Sequence, residues 1–335
     1  MRRLYFLLPG TTNKFACGGL WAEIKTMELA KTVVSAEIVT YRQREKNHLW
    51  LKDLLQAEDA AQQLQDVIFV VSWGFDVPKL VPKLKRFNVI YHAHSAEYGF
   101  RLPASVPIIT VSRNTMGYWG QRSPHSLIYY LPNEISGKFH NQHRDRNIDV
   151  LVQARKSSHY LMQQLIPALQ KQCRVEVVDR YVDDLETLFN SAKVYLYESA
   201  EYWAVQGVTE GFGLQPMEAL ACGCQVFSSV NHGLSDYLDP AFNCYKIAGY
   251  SQGFDTQRIL QALHSSQKLT LSTNVLDEYR AENIIARLQV ILEELNEFFD
   301  YKQIYRGDIA DLSYWQIMKL RSQRIFAKAR QKFKA

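Results

Sequence analysis

The sequence lacks the features of several broad protein classes. It has no apolar run of the roughly 18 to 20 residues that a membrane-spanning helix needs. Its 16 glycines and 10 prolines are too few for a fibrous or low-complexity chain. Its five cysteines form no Cys-x-x-Cys pair, and their odd number argues against a disulfide scaffold or a structural zinc site. We therefore expect a reducing compartment and a cytoplasmic location.

Two phosphate-binding motifs are also missing. No Gly-x-Gly-x-x-Gly follows the first predicted strand, which argues against a dinucleotide oxidoreductase. No Gly-x-x-x-x-Gly-Lys-Ser/Thr occurs, which argues against phosphoryl transfer by a P-loop. The apolar run at Leu4–Leu8 ends at Pro9-Gly10, too early for a signal peptide. We interpret it as a first buried strand.

What the chain does contain is an ordinary globular composition with an uneven charge. It has 335 residues, 47% of them hydrophobic and 22% charged, which suggests about two packed domains. The formal net charge is +5, but residues 312–335 hold seven Lys and Arg with no Asp or Glu. The remaining residues sum to −2. The basic character is therefore a C-terminal feature, and nothing in the body predicts nucleic-acid binding.

Short apolar runs alternate with helical patterns along both halves of the chain. This alternation predicts parallel sheets that are covered on both faces by helices. The polar, aperiodic residues 137–148 predict a linker, after which the same pattern begins again. The expected fold is α/β, with two Rossmann-like, doubly wound domains facing a cleft. Ligands of such sheets bind at the carboxyl ends of the strands.

The most informative segment runs from Glu210 to Gly223, with the sequence EGFGLQPMEALACG. Gly211 and Gly213 allow the backbone to approach a ligand closely, and Pro216 suits a first helical turn. The free N–H groups at such a helix start suit a phosphate. The two carboxylates of the segment, on Glu210 and Glu218, suit sugar hydroxyls.

This segment resembles the signature of glycosyltransferase family 4, whose members are retaining enzymes that use nucleotide-activated sugars. The chain matches the pattern Glu-Gly-Phe-Gly-Leu-x-Pro-x-Glu-Ala-x-Ala-x-Gly at every fixed position. The resemblance implies the GT-B fold, with Glu210 on the transferred sugar and Glu218 on the ribose. It also implies that the sugar and diphosphate lie along the backbone of the residues between them, namely Gly211, Phe212, Gly213, Leu214 and Gln215.

Other parts of the chain extend the resemblance more weakly. Gly18-Gly19 resembles the family's N-terminal glycine loop near the donor phosphates, although a simple strand-to-helix turn fits the glycines too. His94 matches a donor-contacting histidine at the end of an N-terminal strand. His92 has no such match, and we expect no carboxylate or cysteine neighbour to complete a zinc site with the pair. Leu185, Leu188 and Phe189 resemble the region of a nucleotide-base pocket.

Cations are expected where the diphosphate departs, because fixed positive charge lowers the energy of the transition state. Arg155 matches the family's arginine. The family's lysine, about five residues further on, is replaced by Tyr160, so Lys156 is a substitute candidate. No Asp-x-Asp metal motif occurs. We therefore expect a metal-independent enzyme that needs no cofactor.

Two segments depart from the family pattern. The ten residues Ala200–Thr209 are inserted before Glu210, and their Tyr202 and Trp203 are expected beside the cleft, where aromatic faces stack on sugars. Residues 231–236, NHGLSD, replace the usual Gly-Gly-x-x-Glu.

We predict an acceptor-side domain at residues 1–140, a nucleotide-sugar domain at 141–305 and a basic helix at 306–335 that returns to the first domain. A second interpretation of that helix is peripheral contact with an anionic membrane, at the inner face of the plasma membrane. The predicted reaction is transfer of a hexose to a carbohydrate or lipid-linked acceptor in exopolysaccharide synthesis. Within the family, the member most like this chain favours UDP-glucose as donor. Three alternatives remain: a non-catalytic sugar-nucleotide or glycan-binding protein, a sugar-nucleotide epimerase, and nucleic-acid binding through the tail.

Overall fold

The computed structural model describes residues 1–310 and 312–332. Seven parallel strands form the N-terminal sheet, in the order β3-β2-β1-β4-β5-β6-β7. Their bounds are β1 Arg3–Leu8, β2 Ala36–Thr40, β3 Leu49–Trp50, β4 Val67–Val71, β5 Asn88–Ala93, β6 Ile108–Thr110 and β7 Ile128–Tyr130.

Five parallel strands form the C-terminal sheet, in the order β12-β11-β10-β8-β9. Their bounds are β8 Ile148–Gln153, β9 Val175–Val178, β10 Ala192–Tyr197, β11 Gln225–Ser228 and β12 Tyr245–Lys246. The direction of winding changes between β8 and β10, so the loops that follow these two strands open a crevice at the sheet's carboxyl edge.

Helices connect the strands and cover the sheets. Those of the first domain are α1 Gly18–Ala30, α2 Leu51–Gln56, α3 Ala60–Gln63, α4 Val77–Lys83 and α5 Arg113–Arg122. Those that follow are α6 Ile166–Leu169 (after a π-helical turn at Leu161–Leu165), α7 Leu185–Ser191, α8 Ala200–Gln206, α9 Leu214–Ala221, α10 Gln252–His264, α11 Thr273–Asp277, α12 Ala281–Ile304 and α13 Tyr314–Lys332. Among the described residues, no helix combines the length and apolarity needed to cross a bilayer.

Burial explains why the strands read as continuous apolar runs. Every residue of β4, with the sequence VIFVV, is buried. Alternate residues of a strand point to opposite faces, so Phe69 packs in one core and Ile68 and Val70 in the other. This arrangement confirms the prediction of two parallel-sheet α/β domains.

In one segment the structure differs from the local sequence pattern. The polar pattern from residue 47 to 65 suggests a single helix, but Leu49 and Trp50 pair with Val39 and Thr40 as an edge strand. Only the short helices α2 and α3 follow. The sheet contact therefore overrides the local helical pattern, because pairing with β2 supplies the backbone hydrogen bonds.

The helix that packs on the N-terminal domain is α12, whereas the described residues of the basic segment do not pack there. Ile284, Leu288 and Phe299 of α12 are buried against the N-terminal core, together with Leu4 and Phe6 of β1. By contrast, the residues of α13 whose burial is described are exposed or only half-buried. The prediction that the basic helix packs on the first domain is therefore wrong for residues 314–331. Its apolar residues are interspersed with cations that a core would not accept.

Candidate functional site

The glycine-rich segment forms a tight loop between α8 and α9. Gly213 has φ +79°, and a Cβ there would lie 2.2 Å from Leu234 Cδ2. Both the left-handed backbone and the lack of space require glycine. Phe212 is buried between the rings of Tyr237 and Tyr279, each with its centroid 5.5 Å away. The loop is therefore fixed by its own core contacts before any ligand binds.

Gly211 brings this loop directly against the other domain. A Cβ at Gly211 would lie 1.6 Å from the backbone oxygen of His94, and one at Gly233 would lie 2.1 Å from the oxygen of Gly211. Three backbone segments therefore meet at van der Waals distance where the strands end. The structure places the predicted His94 beside the loop that begins at Glu210.

The carboxylate of Glu210 is buried and held by several donors. Its Oε2 accepts hydrogen bonds from the Tyr197 hydroxyl at 2.6 Å, the indole Nε1–H of Trp203 at 2.5 Å and the Ser199 hydroxyl at 3.2 Å. Tyr197 ends β10, and Trp203 lies on α8. The side chain is therefore fixed in one orientation by residues of its own domain.

Lys156 completes this network from the neighbouring strand. Its Nζ lies 3.2 Å from Glu210 Oε1 and 4.5 Å from the centroid of the Trp203 ring. Lys156 follows β8, and Glu210 lies on the loop after β10, so the pair spans the change in winding direction. Arg155, next to it, is exposed, and no described residue forms an ion pair with its guanidinium. The structure thus brings Lys156 to the network and leaves Arg155 at the surface.

The insertion predicted beside the cleft forms helix α8. Its Trp203 donates to Glu210 with the indole nitrogen, and its ring stands edge-on to Tyr202 with centroids 5.0 Å apart. Stacking of these aromatic faces on a sugar stays a prediction. What the structure adds is a second role, because the inserted residues supply one of the hydrogen bonds that orient Glu210.

Glu218, at the other end of the segment, has a different environment. It lies on α9, and no described residue donates a hydrogen bond to its carboxylate. Burial raises the pKa of this carboxyl from its ordinary 4.5 to about 7, and Lys25 and Lys138 offset only part of that effect. The side chain therefore exchanges a proton near neutral pH.

A buried carboxylate joins the two predicted histidines. Glu23 of α1 contacts His92 and His94 through the same oxygen, Oε2, which lies 2.5 Å from His92 Nδ1 and 2.6 Å from His94 Nε2. The expectation that no carboxylate accompanies this pair is therefore wrong. Sequence reasoning missed Glu23 because it lies 69 residues before His92. One signal was present, since Glu23 occupies the same helical stripe as Leu20 and Met27.

The electrostatics of this cluster favour an ionised carboxylate. Burial raises the pKa of Glu23, but the two imidazoles outweigh it and bring the pKa to about 2. Burial and the neighbouring His92 lower the pKa of His94. The Glu23 oxygen and the imidazole nitrogens of His92 and His94, which are the atoms that could bind a metal ion, lie within 4.8 Å of one another. Two zinc ligands in a tetrahedral site are about 3.3 Å apart, so the shorter separations from Glu23 are those of hydrogen bonds.

Direct hydrogen bonds connect the two domains around the cleft. The Ser95 hydroxyl donates to the backbone oxygen of Thr209 at 2.6 Å, and the Ala96 N–H donates to the Thr209 hydroxyl at 3.0 Å. Asp236 accepts a bond from the backbone N–H of Arg113, the first residue of α5, at 2.5 Å. His232, in the segment that departs from the family pattern, accepts a bond from the Glu210 N–H through Nδ1 at 3.3 Å.

The structure also describes two other predicted parts of the site. Gly18 and Gly19 form the exposed first turn of α1, so they begin a helix and are not a loop. Leu185, Leu188 and Phe189 line a small recess near the ends of β8 and β9, and their role in binding a nucleotide base stays a prediction. Gln215 also lines it, and its side-chain oxygen accepts from the Tyr195 hydroxyl at 3.2 Å.

Part of the chain matches the model of a known protein family. Residues 141–274 match the model of the family described as Glycosyl transferases group 1. This span contains Lys156, Glu210 and Glu218. No curated protein matches the sequence.

Several solved structures share the fold. HepE of Anabaena, crystallised with UDP and glucose, is 13% identical over 88% of this chain and 100% of its own, with a TM-score of 0.62. Sucrose-phosphate synthase of Thermosynechococcus elongatus is 13% identical over 89% and 100%, with a TM-score of 0.60. A glycosyltransferase of Rickettsia africae is 11% identical over 88% and 99%, with a TM-score of 0.64.

At these identities the structural likeness shows the fold, which is GT-B. Together with the family match over residues 141–274, it supports a glycosyltransferase. HepE is the family member that the sequence is predicted to resemble most, and 13% identity leaves that a prediction.

Proposed function

We propose that this chain is a retaining glycosyltransferase of family 4 that transfers glucose from UDP-glucose to a carbohydrate or lipid-linked acceptor in exopolysaccharide synthesis. The observation that carries the proposal is the meeting of the Glu210–Glu218 loop with His94 across the cleft. HepE, which shares the fold, is crystallised with UDP-glucose, and this favours the same donor here.

In the proposed complex the C-terminal domain holds the donor. The recess at Leu185, Leu188 and Phe189 takes the base, and Glu218 accepts hydrogen bonds from the ribose hydroxyls. The backbone from Gly211 to Gln215 lines the diphosphate and sugar, because the start of α9 offers free N–H groups. Gly18 and Gly19 approach the phosphates from the other domain. His94 and Glu210 contact the sugar.

The transfer itself needs position and charge more than a protein nucleophile. The bond between the sugar's anomeric carbon and the diphosphate oxygen breaks, and the acceptor oxygen bonds to the same carbon on the same face. The acceptor's proton passes to the departing diphosphate. Arg155 and Lys156 stabilise the negative charge that grows on that diphosphate. In this scheme the enzyme requires neither a metal ion nor a cofactor.

The cysteine pattern favours a reducing compartment, so we propose that the reaction takes place in the cytoplasm. The donor is then a nucleotide sugar of the same compartment. The N-terminal domain, residues 1–140, faces the acceptor in this proposal, and residues 141–305 hold the donor.

One observation favours a second candidate function. The Glu210 carboxylate already accepts bonds from Tyr197, Ser199 and Trp203 and pairs with Lys156. A network that saturates the carboxylate is compatible with a non-catalytic sugar-nucleotide or glycan-binding protein. Catalysis requires that Oε1, which only Lys156 approaches among the described residues, still accepts a sugar hydroxyl.

Two measurements test the proposal together. A thermal-shift panel of UDP, GDP and ADP with their glucose, mannose and galactose forms identifies the donor, because a ligand of the folded state raises the melting temperature. We expect UDP-glucose to give the largest shift. Release of UDP with retention at the anomeric carbon, abolished in Glu210→Ala, then supports the enzyme. A shift without turnover over a panel of carbohydrate and lipid-linked acceptors supports the binding protein.

A further inference from the structure

Helix α13 presents an amphipathic surface that no other described part of the chain covers. It follows the last turn of α12 after a nine-residue connection and runs from Tyr314 to Lys332. Tyr314 is 67% exposed, Trp315 79% and Phe326 69%. Large apolar side chains are seldom left in water together, so this concentration on one helix needs an explanation.

The apolar side chains of α13 lie mainly on one face. At 3.6 residues per turn, seven of the positions from 314 to 331 fall within an arc of about 120°. We call this arc the apolar face of α13, and it consists of Tyr314, Trp315, Met318, Ser322, Ile325, Phe326 and Ala329. Leu320 lies on the opposite side of the helix. The face is therefore continuous along four turns and interrupted only by one small serine.

Cations border this face on both sides. Lys319 and Arg330 lie at one edge, and Arg321 and Lys328 lie at the other. Residues 312–335 contain no acidic residue, and no described residue forms an ion pair with any of these four. A helix with aromatic and aliphatic side chains on one face and Lys and Arg at its edges matches the chemistry of an interface between lipid and water.

The packing of α12, the helix before α13, explains why α13 does not pack on the N-terminal domain. The apolar stripe of α12 is already buried on the N-terminal sheet, where it includes Leu292 and Leu295. That site is filled. A nucleic-acid duplex bound through its phosphates would pair with the cations but leave the aromatic face in water, and a coiled coil would need a narrower apolar seam.

We propose that α13 binds peripherally to an anionic phospholipid surface, with its apolar face in the interface and its edge cations against the headgroups. Each Lys or Arg held near an anionic surface strengthens binding by about fivefold, and the buried aromatic side chains add to this. This inference is independent of the proposed transferase reaction, because it uses no residue of the cleft.

The test is sedimentation of the full chain with two kinds of vesicle. One consists of phosphatidylcholine alone, and the other also contains about 30% phosphatidylglycerol, which gives it a strongly negative surface. We expect binding only to the anionic vesicles, and weaker binding in high salt. Truncation after residue 311 should abolish binding while leaving the melting temperature of the remaining domains unchanged.

Matched substitutions distinguish membrane binding through the apolar face of α13 from nonspecific hydrophobic adsorption. Trp315→Ser with Phe326→Ser should weaken binding at least tenfold, whereas Leu320→Ser, on the opposite side of the same helix, should leave it unchanged. Lys319→Gln, Arg321→Gln and Lys328→Gln together should weaken it by roughly a hundredfold. Equal binding to neutral vesicles, equal loss in Leu320→Ser, or a concentration-dependent dimer that disappears with Trp315→Ser would overturn the proposal.

Discussion

Glu210 and Glu218 carry the same side chain at the two ends of one loop, yet their surroundings are opposite. Glu210 accepts hydrogen bonds from Tyr197, Ser199 and Trp203 and pairs with Lys156. Glu218 has no hydrogen-bond donor among the described residues, and its pKa is raised to about 7. The Glu210 carboxylate has its hydrogen-bond partners within the protein, whereas the Glu218 carboxylate can still accept hydrogen bonds from a ligand.

This difference separates two roles that the sequence pattern treats alike. A carboxylate fixed by its neighbours costs little entropy when the reacting sugar binds, which suits the end where geometry controls the reaction. A carboxyl with a raised pKa and no donors is stabilised when hydroxyl groups hydrogen bond to it. We therefore expect Glu210 to control turnover and Glu218 to control affinity for the nucleotide.

The largest effect is expected at the glycine next to Glu210. In Gly211→Ala the new Cβ would overlap the backbone oxygen of His94, only 1.6 Å away, so the loop and the N-terminal domain cannot keep their contact. We expect kcat/KM for transfer to fall about a thousandfold, which corresponds to about 4 kcal/mol. Steady-state kinetics with the donor identified by thermal shift measure this loss.

The control for that variant is Gly117→Ala in α5, where nothing lies within 4 Å of the added Cβ. Alanine favours a helix interior over glycine by up to about 1 kcal/mol, so this variant should be active and slightly more stable. Equal activity in the two variants would show that the contact between Gly211 and His94 is not required.

Replacing each carboxylate by an amide tests the difference between Glu210 and Glu218. Glu210→Gln keeps the shape but removes the charge that pairs with Lys156, and we expect kcat to fall about a hundredfold, a loss typical of one electrostatic contact in a transition state. Glu218→Gln should instead raise the donor's KM with a smaller change in kcat. Reversal of these two patterns contradicts the assignment of roles.

The N-terminal side of the cleft gives a stability test. Glu23→Gln removes the charge that His92 and His94 share, and breaking a buried charged network costs about 3 kcal/mol of unfolding free energy. Glu28→Gln on the exposed side of the same helix should change it by less than about 0.5 kcal/mol. Urea unfolding of both variants measures the difference. A Glu23 variant as stable as the Glu28 variant would show that the network does not stabilise the fold.

The smallest effect concerns pH. The folded Glu218 carboxyl keeps its proton up to about pH 7, whereas the unfolded one releases it near 4.5. The stability that this group contributes is therefore complete below pH 4.5 and is lost as the pH rises through 7. The displacement sets an upper limit of about 3 kcal/mol. Glu218→Gln should show a smaller decrease in stability between pH 5 and 8 than the unchanged protein, and parallel curves would contradict the raised pKa.

The sequence predicts the architecture well because the architecture depends on a repeated local pattern of short strands and helices. Buried strands such as β4 are apolar at every position, and the alternation with helices determines a parallel sheet. The glycines at 211 and 213 are likewise visible in sequence, and the structure shows what each one faces. Patterns of this kind need no knowledge of which distant residues meet.

The contacts of Glu210 and the histidines could not be predicted in the same way. Glu23 reaches His92 only after α1 packs on the sheet, and Trp203 reaches Glu210 only because the insertion folds as α8. The prediction that the basic helix packs on the N-terminal core was wrong, since α12 and α13 both carry apolar stripes and the sequence does not show which stripe is covered. Only the apolar stripe of α12 is buried on the N-terminal core, because α12 has few cations near its stripe and α13 has many.

A crystal structure of the full chain with UDP-glucose, or with the donor that gives the largest thermal shift, tests the proposed donor site most directly. We expect the diphosphate to lie against the backbone of residues 212–215 at the start of α9, the ribose hydroxyls to contact Glu218, and the hexose to lie between His94 and Glu210. A donor bound away from residues 210–218, or a Glu218 carboxylate that contacts only solvent in the complex, would contradict this expectation.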